Sequence, residues 1–432
     1  MQRQSAQWLQ GLAAACAISA PLLTLGCGAE TEGAGGGPDS DVRPSASAVP
    51  SVLPGIDVLL ADSLHLVRGR RVGLITNHTG VGADGVSSID RIFAHPDVQL
   101  VALFSPEHGI RGAVEAGTEV ADETDPETGI PIHSLYGQTL KPVPEMLEGL
   151  DALLFDIQDV GSRYYTYIYT MALAMEAAGE AALPFIVLDR PNPVGGRLVQ
   201  GNVLDPALSS FVGRYPIPMR HGMTPGELAS LFRSAFGVDV DLRVVPLQGW
   251  TRDMLYSDTG LVWRAPSPNM PDLESALHYP GTCLFEGTNL SVGRGTDRAF
   301  QWIGAPWLDG DQLARTLTDA RLPGVRFYPA RFTPEGPGDG KFDGIEVNGV
   351  RLEVTDPSIY DPTRVAIALL VESRWMSGDR WEWTPEHFDR LAGTQRVRNG
   401  VELGESESDI TRGWVQDIEA FRELRDPVLI YR

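Results

Sequence analysis

The sequence predicts an α/β protein made of a doubly wound sheet domain followed by a smaller C-terminal α+β domain. Short apolar runs alternate with helical stretches over the first half of the chain, which is the pattern of successive β-α-β units. Beyond about residue 255 the pattern changes, because Pro- and Gly-rich segments separate fewer strands. We therefore expect a sheet domain at residues 53–255 and a second domain at residues 256–432.

Five apolar runs predict the strands of the sheet, at residues 71–76, 98–104, 152–156, 185–189 and 242–247. Helical stretches lie between them, notably at 165–182 and 224–236. The second of these helices begins with Thr224-Pro225-Gly226-Glu227, which has the spacing of a capping box with Pro at the first helical position. In the second domain we expect strands at 324–327 and 349–354 and helices at 362–375 and 410–424.

The first 26 residues are typical of a signal peptide, because one charge, Arg3, precedes an apolar stretch that is too short to span a bilayer. The segment Leu23-Thr24-Leu25-Gly26-Cys27 resembles a bacterial lipoprotein box in which Cys27 carries the lipid. Thr24 departs from the usual aliphatic residue, so ordinary cleavage near Cys27 is the alternative. Either form of cleavage predicts an exported protein.

Residues 27–52 predict a flexible tether, because they are mostly Gly, Ser, Ala, Pro and acidic residues without apolar periodicity. With Cys27 lipidated, the protein would be a membrane-anchored lipoprotein that faces the periplasm or the cell surface of a bacterium. Cys283 would then have no disulfide partner in the mature chain. The cysteine count therefore neither supports nor opposes export.

The formal net charge of -22 argues against partners that need a basic surface. Nucleic acids and anionic membrane surfaces both require such a patch, so we expect no nucleic-acid partner and membrane contact only through the lipid anchor. An anionic substrate would need arginines concentrated at its binding site.

Polar segments follow four of the predicted strands directly, and three of these segments contain glycine. Because the carboxyl ends of parallel strands meet at one edge of a sheet, these segments should be neighbours, and ligands of open α/β sheets bind there. The segment Ser105–Gly112 is the richest, since it places Glu107, His108 and Arg111 within five positions. The other three segments are Asn77–Gly80, Asp156–Tyr164 and Asp189–Pro193.

One segment after the first strand matches the dinucleotide-binding pattern G-x-G-x-x-G, through Gly80, Gly82 and Gly85. Glu107 even follows at about the distance of a ribose-binding acid. Against this, three residues separate the strand from the first glycine, Asp84 would face a pyrophosphate, and the helix starts later, near Ser87. A dinucleotide-binding oxidoreductase therefore stays as an alternative hypothesis that the local pattern disfavours.

Several carboxylates in unusual polar segments point to hydrolysis of a glycosidic bond, which requires one protonated and one ionised carboxyl group. Glu107 is the best placed, because Pro106 and Gly109 restrict the backbone around it. Glu286 lies in a dense segment at 279–296 whose Gly and hydroxyl residues are typical of a ligand-facing loop. Asp156 and Asp159 could equally be loop-capping residues, and Glu176 is the weakest candidate because it lies inside the helix predicted at 165–182. Zinc bound by His78, His108 and His221 is conceivable, but no two of these histidines lie three or four positions apart, so we expect no metal.

Seven strings resemble the exo-β-N-acetylmuramidase (NamZ/YbbC-like) family, in order from about Gly55 to the C-terminus. They are GLITNHTG, LFSPEHGIRG, FDIQDVGSRYYTYIYTM, LDRPNPVGG, PIPMRHGMTPGELA, FEGTNLSVGRGTDRAFQWIGAPW and FDRLAGTQRVRNGVELG. The resemblance implies a Rossmann-like domain and a smaller C-terminal domain that together form a cleft. It also implies release of terminal N-acetylmuramic acid from the non-reducing end of peptidoglycan fragments, such as muropeptides and MurNAc-GlcNAc, without a cofactor.

Carried onto this sequence, the resemblance makes Glu107 the catalytic acid, and Glu286 is our candidate for the second carboxylate. A lactyl carboxylate explains arginines in the loops of an acidic chain, because the guanidinium binds carboxylates in a bidentate manner. A cell-wall binding protein without catalysis is the remaining alternative. The residues expected to bind substrate are Asn77, His108, Arg111, Asp156, Arg163, Tyr164, Arg220, His221, Asn289 and Arg294.

Overall fold

The computed structural model describes residues 52–112, 114 and 117–432. The predicted signal peptide, Cys27 and nearly all of the predicted tether lie outside the described residues. Within the described part, no helix combines the length and apolar character needed to cross a bilayer.

Twelve strands and twelve α-helices are numbered here in chain order, all of them within the described residues. The strands are β1 (Arg71–Thr76), β2 (Gln99–Ser105), β3 (Glu123–Thr124), β4 (Pro131–Ser134), β5 (Ala152–Asp156), β6 (Phe185–Leu188), β7 (Gln200–Val203), β8 (Pro218–Arg220), β9 (Leu242–Val245), β10 (Trp302–Ala305), β11 (Val325–Phe332) and β12 (Val347–Val354). The helices are α1 (Gly55–Asp62), α2 (Ser88–Phe93), α3 (Pro144–Leu147), α4 (Tyr167–Glu180), α5 (Pro225–Ala235), α6 (Leu273–Thr282), α7 (Gly310–Asp319), α8 (Pro362–Ser377), α9 (Pro385–Ala392), α10 (Arg396–Glu402), α11 (Glu407–Thr411) and α12 (Trp414–Arg425).

The central sheet has seven strands in the order β3-β4-β2-β1-β5-β6-β9. All pairs are parallel except β3 with β4, which are antiparallel at one edge. Counted along the chain, the six parallel strands have the order 3-2-1-4-5-6, which is that of dinucleotide-binding doubly wound sheets. The strand order reverses between β1 and β5, so the loops after these two strands border the crevice where such sheets bind ligands.

Both faces of this sheet are buried, as the continuous apolar runs predict. Successive side chains of a strand point to opposite faces, so Leu74 packs with α1 and α2 on one side while Ile75 belongs to the core on the other side. That second core continues without interruption into the C-terminal half, where it includes Leu352 and Phe388. The two halves are therefore joined by one hydrophobic core.

The C-terminal half is built around a three-stranded antiparallel sheet in the order β10-β12-β11. The helices α6 and α8 pack closely against each other beside it. A separate antiparallel ribbon is formed by β7 and β8. The predicted combination of a doubly wound sheet with an α+β region is confirmed.

The five strands predicted for the first domain all lie within two residues of the observed bounds, and the capping box of α5 is present. Two predictions are wrong. The helix expected at 410–424 is two helices, α11 and α12, which are separated at Arg412–Gly413. The segment at 279–296, expected to be a loop throughout, begins inside α6 and continues as a 3₁₀ turn at Cys283–Gly287. Pro280 lies within α6. Because Pro normally interrupts a helix, the sequence did not predict a helix that includes this residue.

Candidate active site

The four polar loops that follow β1, β2, β5 and β6 are neighbours, as predicted. The Thr79 hydroxyl accepts a hydrogen bond from the Gln158 N–H over 3.0 Å, which joins the loops after β1 and β5. The Arg190 Nε donates to Asp156 over 2.5 Å and so joins the loops after β6 and β5. These contacts fix the edge of the sheet on which the candidate site is built.

A cavity of about 450 Å³ opens beside this edge, between the central sheet and the C-terminal half. Both halves contribute polar and aromatic side chains to its wall. The lining residues are Glu107, His108, Gly117, Tyr136, Tyr164, Tyr165, Thr166, Phe211, Val212, Ser267, Asn269, Met270, Tyr279, Cys283, Glu286, Arg294, Phe300, Gly338, Asp339, His387 and Leu391.

Glu107 lies two residues beyond the end of β2 and is 7% exposed. Its Oε2 accepts a hydrogen bond from the Thr166 hydroxyl over 2.6 Å, and its Oε1 accepts one from the Gly117 N–H over 3.0 Å. Thr166 directly precedes α4 but does not cap it with its side chain, because its hydroxyl is directed to Glu107. The carboxyl group is thus held in one orientation at the cavity wall.

Tyr136 and His108 are neighbours of Glu107 at the cavity wall. Burial, together with the Glu107 charge, raises the pKa of Tyr136, so this phenol stays protonated and is available as a donor to Glu107. His108 has a φ of 71°, a left-handed conformation that costs free energy for a residue other than Gly. Its Nδ1 lies 2.6 Å from the Val114 carbonyl oxygen, which holds the imidazole beside the cavity.

Glu286 enters the cavity from the 3₁₀ turn that follows α6. Its Oε1 accepts hydrogen bonds from Arg294, at 2.8 Å from Nε and also from Nη2. Burial alone raises the pKa of Glu286, but the Arg294 guanidinium and the Lys341 ammonium outweigh it and hold the pKa below its usual value. Glu286 is therefore an ionised carboxylate at neutral pH.

Five of the twelve predicted site residues line the cavity: Glu107, His108, Tyr164, Glu286 and Arg294. Tyr164 donates its hydroxyl to the Pro280 carbonyl and stands edge to face with Tyr279, with 5.8 Å between ring centroids. The structure therefore brings together two carboxylates, an arginine and aromatic rings from distant parts of the chain.

The other seven residues do not line the cavity. Asn77 closes the turn after β1, since its Oδ1 accepts from the Thr79 N–H over 2.9 Å. Asp156 is fully buried and accepts from Ser88 and Arg190. Arg111 is largely exposed and pairs with Asp125 over 3.0 Å. Their assignment to substrate binding stays a prediction.

Arg163 and Arg220 are fully buried and bind backbone carbonyls. Arg163 donates to four of them, those of Asn202, Ile217, Leu391 and Ala392. Burial lowers the pKa of Arg220 to about 10, so it stays charged while it donates to Gln200 over 2.8 Å.

His221 and Asn289 also hold the fold around the cavity. The Nδ1 of His221 accepts a hydrogen bond from the Met223 N–H over 3.2 Å. Asn289 donates from Nδ2 to the Arg380 carbonyl over 2.8 Å. Both contacts position the backbone, and a role in binding for these two residues likewise remains a prediction.

The space beside Gly80 and Gly82, where a dinucleotide would bind, is filled by side chains of the protein itself. A side chain at Gly80 would collide with Thr76, and one at Gly82 would collide with the guanidinium of Arg91. In a dinucleotide site the second glycine leaves room for the pyrophosphate. Here Arg91 fills that space and pairs with Asp57 over 2.9 Å, and Glu107 faces the cavity. The geometry does not fit the dinucleotide alternative.

Sequence reasoning missed several lining residues. Tyr165 and Thr166 directly follow the candidates Arg163 and Tyr164, and a Tyr-Tyr-Thr sequence after a polar strand end is a usable signal. Asn269 lies in a Pro-rich segment, and His387 lies in the first turn of α9. Neither residue belongs to a recognisable local motif. Only the tertiary fold brings these two segments to the cavity, so the sequence alone does not predict their role in its wall.

Family models match most of the chain. The N-terminal domain of the exo-β-N-acetylmuramidase NamZ matches residues 72–274, and its C-terminal domain matches residues 277–431. The chain belongs to the NamZ family of exo-β-N-acetylmuramidases. The boundary between the NamZ models lies within α6, and the cavity draws on both matched regions because Glu107 belongs to the first and Glu286 to the second.

Relatives of known sequence and structure agree with membership of the NamZ family. The chain is 47% identical, over 392 residues, to the peptidoglycan β-N-acetylmuramidase NamZ of Bacillus subtilis strain 168, covering 90% of this chain and 94% of that protein. It is also similar to two crystal structures of DUF1343 family proteins from Bacteroides fragilis. Their TM-scores are 0.82 and 0.73 at 37% and 34% identity, and each match covers 88% of this chain and 99% of the other.

Proposed function

We propose that this protein is an exo-acting β-N-acetylmuramidase that removes terminal N-acetylmuramic acid from the non-reducing end of peptidoglycan fragments. The observation that carries the proposal is the pairing of Glu107 and Glu286 at one cavity of a NamZ-family chain. Glycoside hydrolysis generally uses two carboxyl groups, one as proton donor and one in the ionised form.

Glu107 is the proposed general acid. Its carboxyl group is nearly buried but faces the cavity, and hydroxyl and backbone donors hold it there. A fixed proton donor at the leaving oxygen accelerates cleavage because the departing sugar would otherwise leave as an alkoxide. Glu286, ionised by Arg294, is the proposed second carboxylate.

The test of this proposal is Glu107→Gln, assayed on a chromogenic β-N-acetylmuramide and on MurNAc-GlcNAc fragments. We expect kcat to fall by about 100- to 10,000-fold, because the amide cannot donate the proton, with little change in folding. Glu123→Gln is the matched control, since Glu123 is exposed in β3 and should retain full activity.

Three outcomes would contradict the proposal. Full activity of Glu107→Gln would remove Glu107 from the mechanism. Saturable binding of muropeptides by the unmodified protein, with no reducing sugar released, would instead identify a cell-wall binding protein. A fluorescence change on titration with NAD or NADP would revive the oxidoreductase alternative.

We further propose that the protein is exported and anchored to a membrane by a lipid on Cys27. The support is the sequence alone, namely the apolar leader and the small Gly26 before the cysteine. Expression of the full chain in a bacterium with labelled fatty acid should label the protein, and Cys27→Ala should abolish the label. Equal labelling of both forms, or none of either, would contradict lipidation.

A further inference from the structure

Arg294 presents a positively charged edge to the cavity from the C-terminal half. It lies between Gly293 and Gly295, whose φ angles of 75° and 76° turn the backbone sharply. The side chain is 12% exposed, and its guanidinium lies over the Phe300 ring, 5.5 Å from the ring centroid. Backbone and ring together restrict where the guanidinium points.

Glu286 engages only one side of this guanidinium. Arg294 has five N–H donors, and Glu286 takes two of them, from Nε and Nη2, on a single oxygen. Nη1 has no hydrogen-bond partner among the described residues. The edge formed by Nη1 and Nη2 is therefore available, and this edge binds carboxylates with two parallel hydrogen bonds.

Two other basic groups act on Glu286, namely Lys341 and His387, and neither offers a free positive charge to the cavity. Lys341 donates from Nζ to the carbonyls of Phe285, Glu286 and Leu290, over 3.0 to 3.4 Å. Burial lowers the pKa of His387, so its imidazole is neutral at neutral pH. Arg294 is the only Arg or Lys among the described residues that line the cavity. It is thus the group best placed to bind an anionic substituent.

We propose that Arg294, oriented by Glu286, binds the lactyl carboxylate of the terminal muramic acid residue and so distinguishes it from N-acetylglucosamine. This inference rests on the proposed function. The lactyl ether is the part of N-acetylmuramic acid that N-acetylglucosamine lacks, and its carboxylate is the only charge on the sugar. One guanidinium between Glu286 and the substrate provides both charge pairing and a defined direction for the sugar ring.

The experiment compares a chromogenic β-N-acetylmuramide with its lactyl methyl ester, which removes the charge and keeps the shape. The unmodified enzyme should prefer the free acid by about ten- to hundredfold in kcat/KM. Arg294→Gln should lose this preference, so that the ratio of kcat/KM for the acid to kcat/KM for the ester falls to about one. Any loss of rate that arises because Glu286 no longer pairs with Arg294 affects both substrates alike and cancels in this ratio. Arg298→Gln is the matched control, because Arg298 is about half exposed, lies outside the cavity and pairs with Asp272.

Equal losses on both substrates in Arg294→Gln would indicate a structural role and overturn the inference, as would absence of any preference in the unmodified enzyme. A binding measurement keeps the inference separate from the proposed function. Glu107→Gln should bind N-acetylmuramic acid more tightly than N-acetylglucosamine, and the double variant with Arg294→Gln should bind them equally. If no substrate is hydrolysed by the unmodified enzyme, the proposed mechanism fails while this titration still decides the role of Arg294.

Discussion

Glu107, the candidate acid, shows how individual contacts distinguish the two oxygens of one carboxyl group. The Gly117 N–H is only a donor, so Oε1 acts as an acceptor in either protonation state. The Thr166 hydroxyl both donates and accepts, so Oε2 is the oxygen that can carry the proton of the acid form. The two oxygens of one carboxyl group thus have different roles, which the sequence around Glu107 does not reveal.

Asp189, at the end of β6, is another buried carboxyl group with strong partners. Burial raises its pKa to about 7, despite donors from Tyr431, Gly226 and Thr224. Its folded-state pKa is higher than its unfolded value of 3.8, so its protonation favours folding. This contribution to stability is present at acidic pH and is lost as the pH rises through about 7.

Tyr431→Phe tests this pH dependence. Above pH 7 the buried Asp189 carboxylate needs every donor, and a hydrogen bond to a charged group is worth about 1.5–3 kcal/mol. We expect the variant to lose roughly 2 kcal/mol of unfolding free energy at pH 8 and less at pH 5. Chemical denaturation at both pH values measures this, with Tyr328→Phe in β11 as the control because its ring is partly exposed. An equal loss at both pH values would contradict the assignment.

Helix termini place several of the candidate site residues in this protein. The N-terminus of α4 brings Thr166 to Glu107, and the turn after α6 brings Glu286 to Arg294. The N-terminus of α5 is held by a capping box between Thr224 and Glu227, and the Thr224 hydroxyl also donates to Asp189 over 2.8 Å. The sequence predicted the capping box of α5 correctly because both of its residues belong to the same helix start. It did not predict the contact of Thr166 with Glu107, which joins segments far apart along the chain.

Thr224→Ala should destabilise the protein by about 2 kcal/mol, because it removes a helix cap and a donor to a buried carboxyl group. Thr384→Ala provides the matched control, since Thr384 precedes α9 without a side-chain cap and is exposed. Thermal or denaturant unfolding of both variants gives the comparison. Similar small losses in the two would show that the capping box contributes little.

Arg163 links distant parts of the molecule. Its guanidinium donates to carbonyls next to β7 and β8 on one side and to the end of α9 on the other, over 2.8 to 3.1 Å. Tyr164 and Leu391, which adjoin these contacts, both line the cavity. The cavity therefore depends on a buried charge that does not itself reach it.

Arg163→Met should lower the unfolding free energy by about 3 kcal/mol or more, because four buried carbonyls lose their donor. Muramidase activity should fall as well, even at temperatures where the variant is folded, because the two walls of the cavity lose their common support. Circular dichroism during thermal unfolding and the chromogenic assay measure the two effects. Arg197→Met, at an exposed ion pair, is the control, and a similar result for both variants would contradict the bridging role.

The sequence by itself determined the layout of the sheet domain. Buried parallel strands are continuous apolar runs, so β1, β2, β5, β6 and β9 were predicted to within two residues, and the polar segment after β2 identified Glu107. Those features depend on local composition and on the rule that parallel strands deliver their loops to one edge. The family strings likewise identified the chain as a whole.

Only the tertiary structure decided which of these residues share a cavity. The sequence does not distinguish the arginines of the family motifs from one another. In the structure, Arg163 and Arg220 are buried and bind backbone carbonyls, whereas Arg294 faces the cavity. His387 and Asn269 reach the wall from segments without a motif. The physical reason is that the direction of a side chain depends on packing between elements far apart along the chain, which local spacing does not encode.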